Sequence, residues 1–120
     1  MMQEITFPPV GHTFIVDFGE AVFHTTFDSA HQLTFVPVKD NLGVNETVDY
    51  KAIEIHPNAC LLYWQEKDTT TVTGYWDFEK MIVYSNLTLP GNKFLNLRGK
   101  LTMMNLPGHD VSLALNSRSR

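Results

Sequence analysis

Apolar and polar residues alternate along most of this chain. No window of useful length places apolar side chains at i, i+3, i+4 and i+7, the spacing a helix face requires. Short runs rich in Val, Ile, Thr, Phe and Tyr recur instead, each closed by turn-forming residues. The pattern predicts strands over residues 13–18, 21–27, 32–38, 47–56, 59–66, 70–78, 81–89 and 93–104. Gly19, Asp28-Ser29, Pro57-Asn58, Lys67-Asp68 and Glu79-Lys80 punctuate them, and a loop over 39–45 carries Gly and Asn. Pro90-Gly91-Asn92 is a turn with a mechanism: Pro presets one φ and Gly accepts a positive one.

About eight strands with short connections form a meander, and consecutive strands joined by tight turns pair antiparallel. An open meander leaves two unpaired edges, which closure into a barrel removes. The expected fold is therefore all-β: a closed antiparallel up-and-down barrel, one domain over residues 1–120. The first ten residues, with Pro8-Pro9, read as an extended lead-in. The apolar stretch 111–115 is suited to covering the barrel or to pairing with a partner, and a homodimer through the outer face of the barrel is a further expectation.

Composition narrows the function classes. The chain has 120 residues, 43% of them hydrophobic, enough for a core without staples. Its net charge is −4, and its only basic cluster is Arg118-Ser119-Arg120, so a nucleic-acid partner is not expected. The longest apolar run, 59–64, is too short for a membrane helix, and no membrane partner is expected. Cys60 is the single cysteine, and no charged stretch followed by an apolar run opens the sequence. A reducing cytoplasm is the expected location.

Three features could carry chemistry. In the fifth strand, Trp64 and Glu66 are two apart and share a face. If that face is the lumen, Glu66 is a carboxylate in an apolar chamber. Desolvation there would raise its pKa and suit it to acid–base work. At a wet strand end it would be an ordinary surface carboxylate. Aromatic residues, Phe14, Tyr50, Trp64 and Trp76 among them, occur on every strand. They read first as core, yet in a small barrel core and pocket share one space. In the last two strands, Tyr84, Asn86 and Thr88 share one face, as do Asn96, Arg98 and Lys100. Those faces are ordinarily solvated. Turned inward, Asn86 and Arg98 would anchor a carboxylate.

None of the five histidines shows metal-ligand spacing, so no metal is expected. His24, in mid-strand, is either a surface residue or a catalytic base. Gly-x-Gly-x-x-Gly, the P-loop and Gly-x-Ser-x-Gly are absent, and no cofactor is expected.

Residues 46–102 contain Glu46-Thr47-Val48-Asp49-Tyr50, Ile53-Glu54-Ile55 and Trp64-Gln65-Glu66 followed by Thr69-Thr70-Thr71. Asp77-Phe78-Glu79, Val83-Tyr84-Ser85-Asn86-Leu87-Thr88 and Phe94-Leu95-Asn96-Leu97-Arg98-Gly99 come after. This series resembles the MoaF-like family, small barrels of calycin or lipocalin-like architecture. The resemblance implies that fold and no particular reaction. The same region is more distantly similar to the phenolic acid decarboxylases, whose Trp-x-Glu followed by a Thr-rich turn implies a catalytic role for Glu66. That family's paired N-terminal tyrosines are matched by Phe14 and Val16, which lack hydroxyls, and no arginine precedes Arg98.

The expected function is binding of a small apolar or aromatic molecule in the lumen. Trp64, Tyr50, Trp76 and Phe14 would line the site, and Asn86 and Arg98 would assist. One alternative is a cofactor-free lyase, isomerase or cyclase using Glu66 with His24 or Tyr84. Another is a structural dimeric barrel filled by its own side chains.

Overall fold

The computed structural model describes residues 7–39 and 44–104. It contains β1 (Thr13–Asp17), β2 (Val22–Phe27), β3 (Gln32–Lys39), β4 (Glu46–His56), β5 (Ala59–Gln65), β6 (Thr71–Asp77), β7 (Ile82–Leu89) and β8 (Lys93–Met103). The strands form a closed barrel in sequence order, every pairing antiparallel. The observed strand bounds lie within a residue or two of those the alternation predicts. The 111–115 stretch, with its expected covering or pairing role, and the basic tail lie outside the described residues. The lead-in differs from expectation where it is described. Val10 N–H bonds Pro8 O at 2.8 Å and His12 N–H bonds Pro9 O at 3.2 Å, so residues 8–12 turn rather than extend.

Closure runs through β1 and β8, where Phe14 faces Met103 and Val16 faces Leu101. Gly99 makes this seam possible. A Cβ there would stand 2.6 Å from the Asp17 carbonyl oxygen and 2.8 Å from Phe18 Cδ1, closer than any real side chain approaches.

Strand alternation puts one apolar set inside. Phe14, Phe27, Leu33, Leu62, Val83 and Cys60 are fully buried. Phe27 is the hub: its ring lies 5.6 Å from Trp76, 5.7 Å from Tyr50, 6.0 Å from Phe14 and 6.5 Å from Phe78, each edge to face. This packing fills the end of the barrel that holds the β2–β3, β4–β5 and β6–β7 turns. The other end is not filled.

Candidate functional site

A cavity of about 350 Å³ opens at the end where β1 joins β2 and β5 joins β6. That is near the lower end of small-molecule sites, which run from about 300 to 1,000 Å³. Its wall is apolar: Phe18, Phe23, Phe35, Val72, Leu87 and Leu97 contribute. Phe35 and Trp64 lie nearly parallel, centroids 6.2 Å apart at 27°, while Phe23 meets Phe35 edge-on at 6.1 Å.

Polar groups sit at two levels. At the mouth, β5 runs into a tight turn closed by Glu66 N–H to Thr70 O at 2.7 Å and Thr69 N–H to Glu66 O at 2.9 Å. The period of two continues through this turn, so Trp64, Glu66, Asp68 and Thr70 all line the cavity. Trp64 Nε1 donates to Glu66 Oε2 at 3.1 Å. Asp68 Oδ1 accepts from Thr70 N–H at 2.9 Å, and Lys67 N–H donates to Glu46 Oε2 at 2.8 Å, bracing the turn from β4. Burial raises the Glu66 pKa. The Trp64 hydrogen bond opposes this, and the charges of Glu46 and Asp68 add to the rise. Hydrogen bonds from Thr70 pull the exposed Asp68 the other way, below the ordinary carboxylate value.

Deeper, Thr25 and Ser85 bring hydroxyls to a lumen wall where their neighbours on the same face are apolar. Trp76, 3% exposed, also lines the cavity, and its indole Nε1 is buried without a hydrogen-bond partner. Gly74 lets Ser85 and the indole pack close over its backbone. A Cβ there would fall 2.9 Å from Ser85 Oγ and 3.0 Å from Trp76 Nε1. An orphaned buried donor is costly, on the order of 1–3 kcal/mol, unless something accepts from it.

The cavity therefore brings together three of the residues singled out in the sequence: Trp64, Glu66 and Trp76. Tyr50 and Phe14 are interior but belong to the packed end. Tyr50 donates its hydroxyl to Ser29 O at 3.0 Å, and burial, then the charges of Cys60 and Asp28, push its pKa up to about 12. The expectation that His24 or Tyr84 assists Glu66 is corrected by register. Val16 and Phe14 face inward, so Ile15 faces out, and its partner His24 faces out with it. Tyr84 is 44% exposed and stands opposite Arg98 on the outer face. Asn86 is likewise outside, accepting from Asn96 Nδ2 at 2.6 Å. The inward reading of Asn86 and Arg98 as carboxylate anchors is thus replaced by the solvated one.

Asp68, Thr25, Ser85 and the Phe18–Phe23–Phe35 wall were missed. The signal was present for Thr25 and Ser85: each is a polar residue interrupting an apolar face, between Phe23 and Phe27 and between Val83 and Leu87. Among the described residues, no three His, Cys, Asp or Glu side chains group as metal ligands, and no helix is long and apolar enough to cross a membrane.

Comparison with known proteins adds the family. The family model described as MoaF-like matches residues 10–102. The chain belongs to the MoaF-like family. The match extends the resemblance seen over 46–102 back through β1–β3, so the MoaF-like unit comprises nearly the whole barrel. A crystal structure from Burkholderia vietnamiensis, provisionally described as a beta-lactamase, superposes with a TM-score of 0.77 at 21% identity. The alignment covers 86% of this chain and 100% of that one. At that identity the likeness is one of fold. A search of curated proteins finds no significant match.

Proposed function

We propose that this MoaF-like barrel binds a small, largely apolar molecule with an aromatic ring in its lumen, as calycin-type barrels do. One observation carries the reading: a cavity of about 350 Å³, walled by aromatic and aliphatic side chains, at the end of the barrel that the Phe27 cluster leaves open. Eight strands enclose an interior that side chains can fill or that one small ligand can share. Here the packed half is filled by the Phe27 cluster and the other half is open. A barrel filled only by its own side chains would leave no such space. The single cysteine, buried and free, suits a reducing compartment, and a cytoplasmic location is part of the proposal.

The test is titration with the neutral apolar fluorophore N-phenyl-1-naphthylamine. Saturable one-to-one binding is expected. Ser85→Phe, which places a ring in the cavity, should weaken it by about tenfold or more while circular dichroism is unchanged. Equal binding by a folded Ser85→Phe variant would place the dye elsewhere and defeat the reading.

A second reading, cofactor-free acid–base catalysis, is favoured by Glu66 alone: it lines the cavity and its pKa is raised by burial. In that reading Asp68, rather than His24 or Tyr84, is the nearby titratable group that shares the cavity with it. Glu66→Gln would then abolish turnover of a substrate and spare its binding.

A further inference from the structure

We infer that two copies of this chain pair through the free edge of β4, antiparallel about a two-fold axis at Ile53. The pairing does not depend on what the lumen holds. Barrel closure leaves this edge because the strands are staggered. β4 runs from Glu46 to His56, but β3 pairs with its first part alone, ending where Gln32 meets Asp49. One more bond, Tyr50 N–H to His31 O at 2.9 Å, closes that side before the chain turns back toward β2. Beyond it, among the described residues, β4 keeps β5 as its one strand neighbour, as far as His56 with Ala59. Residues 51 and 53–56 are exposed, and Ala52 is half-buried.

The backbone groups of successive strand residues point alternately to the two sides. Tyr50 points toward β3, so Ala52 and Glu54 point the same way, and no described backbone group meets theirs. An edge of this kind is a template for another strand. The pattern is self-complementary. With Ala52 opposite the partner's Glu54, each pair exchanges N–H···O bonds in both directions, and symmetry makes four such bonds. Ile53 then faces its own copy across the axis, outer face to outer face. The neighbouring registers are worse. Centring on Glu54 sets two carboxylates directly opposite each other. Centring on Ala52 calls on the Tyr50 N–H, which His31 O already holds. With Ile53 at the centre no charge stands opposite its like: Lys51 meets Ile55, and Glu54 meets Ala52.

The outer face adds apolar contact. Ile53 is 47% exposed and Ile55 53%, and Leu61 beside Ile53 and Tyr63 beside Lys51 carry the strip across β5. A bulge between Glu54 and His56 ends the regular edge, and a closed two-fold leaves no edge there to recruit a third copy, so assembly stops at two. The contact lies at the small end of protein interfaces, so the dimer is reversible, with a Kd of about 10 µM.

Sedimentation velocity of the full chain tests this. From about 1 to 200 µM, monomer should give way to dimer with a midpoint of about 10 µM. Ile53→Lys sets two ammonium groups against each other at the axis, while in the single chain its head reaches water. Ala52→Pro removes an outward N–H and spares the ladder with β5. Each should raise the Kd by about tenfold or more with circular dichroism unchanged. Ile53→Cys makes a non-hydrogen-bonded cross-strand pair with Cα atoms about 4.5 Å apart, within disulfide reach. Ile55→Cys stands roughly 13 Å along the strand from its own copy. Under mild oxidation Ile53→Cys should form a covalent dimer about tenfold faster than Ile55→Cys, the native Cys60 being buried. A full chain that stays monomeric at about 200 µM, its edge capped by its own tail or left to water, overturns the pairing. So does a dimer undiminished in both folded variants, or equal crosslinking by the two cysteines. If Ile53→Lys or Ala52→Pro unfolds, the two cysteine variants decide.

Discussion

Trp64 Nε1 donates to Glu66 Oε2 at 3.1 Å, and both side chains face the open half of the barrel. The indole favours the charged carboxylate, while burial, the larger effect, favours the neutral one. The folded state therefore holds a proton on Glu66 more tightly than the unfolded chain does. Between the ordinary value of 4.5 and the raised folded value, the native state binds more protons, so stability falls as pH rises through that window. The contribution is complete below the unfolded value and lost above the folded one. Glu66→Gln removes it. The variant should melt at the same temperature as the native chain or higher near pH 7, with the gap closing or reversing near pH 4. Thermal melts at the two pH values check this.

The seam makes a separate prediction. Gly99→Ala drives a methyl group onto the Asp17 carbonyl, which belongs to the backbone and cannot rotate aside. The cost should be about 1–3 kcal/mol, read from urea unfolding. Gly91→Ala, where a Cβ meets nothing but the φ is +83°, should cost less.

Phe27 anchors the packed half. Phe27→Ala removes a ring in contact with four others and should destabilise by about 3–5 kcal/mol. A fall in the denaturation midpoint with unchanged slope would confirm that a cavity, and not a change of fold, is responsible.

Cys60 is fully buried among apolar side chains, and burial, with a smaller push from Glu54, raises its thiol to about 12. Both access and thiolate are withheld. An aromatic disulfide reagent should leave the native chain unmodified and label it stoichiometrically in denaturant.

His24 and Tyr84 lie outside the barrel, so His24→Ala and Tyr84→Phe should leave the affinity for N-phenyl-1-naphthylamine within about twofold of native. A large loss from either, with the fold intact, would mean that the outer face communicates with the lumen.

Most of the architecture was legible in the sequence because strand alternation and turn chemistry are local. Gly19, Pro57-Asn58 and Pro90-Gly91-Asn92 mark the strand ends, and the runs between them alternate cleanly. The choice of inner face was harder. β2 carries Phe23 and Phe27 on one side and His24 on the other, and periodicity alone does not say which closes on the core. Only pairing across strands settles it: Phe23 lies beside Val16 and His24 beside Ile15. The same limit hid the depth of the site. Nothing local distinguishes Trp76, which packs on Phe27 and also lines the cavity, from the aromatics that belong to the packed end alone. Glu66 and Trp64 were legible because they lie two apart on one strand, whereas Ser85 and Thr25 reach the same space from strands far apart in the chain.

Among the described residues, every hydrogen-bonded strand pair but one joins neighbours in the sequence; the exception is β1 with β8. The consequence is one of timing. Hairpins along the ribbon can zip in any order, each closing a loop of a few residues at small entropic expense. The final junction must enclose almost the entire ribbon at once, and distant contacts are what slow the folding of β proteins. The clock of this molecule is thus kept at the narrow joint that Gly99 permits, while the mouth at Trp64 and Glu66 belongs to a hairpin that can form before the ring exists.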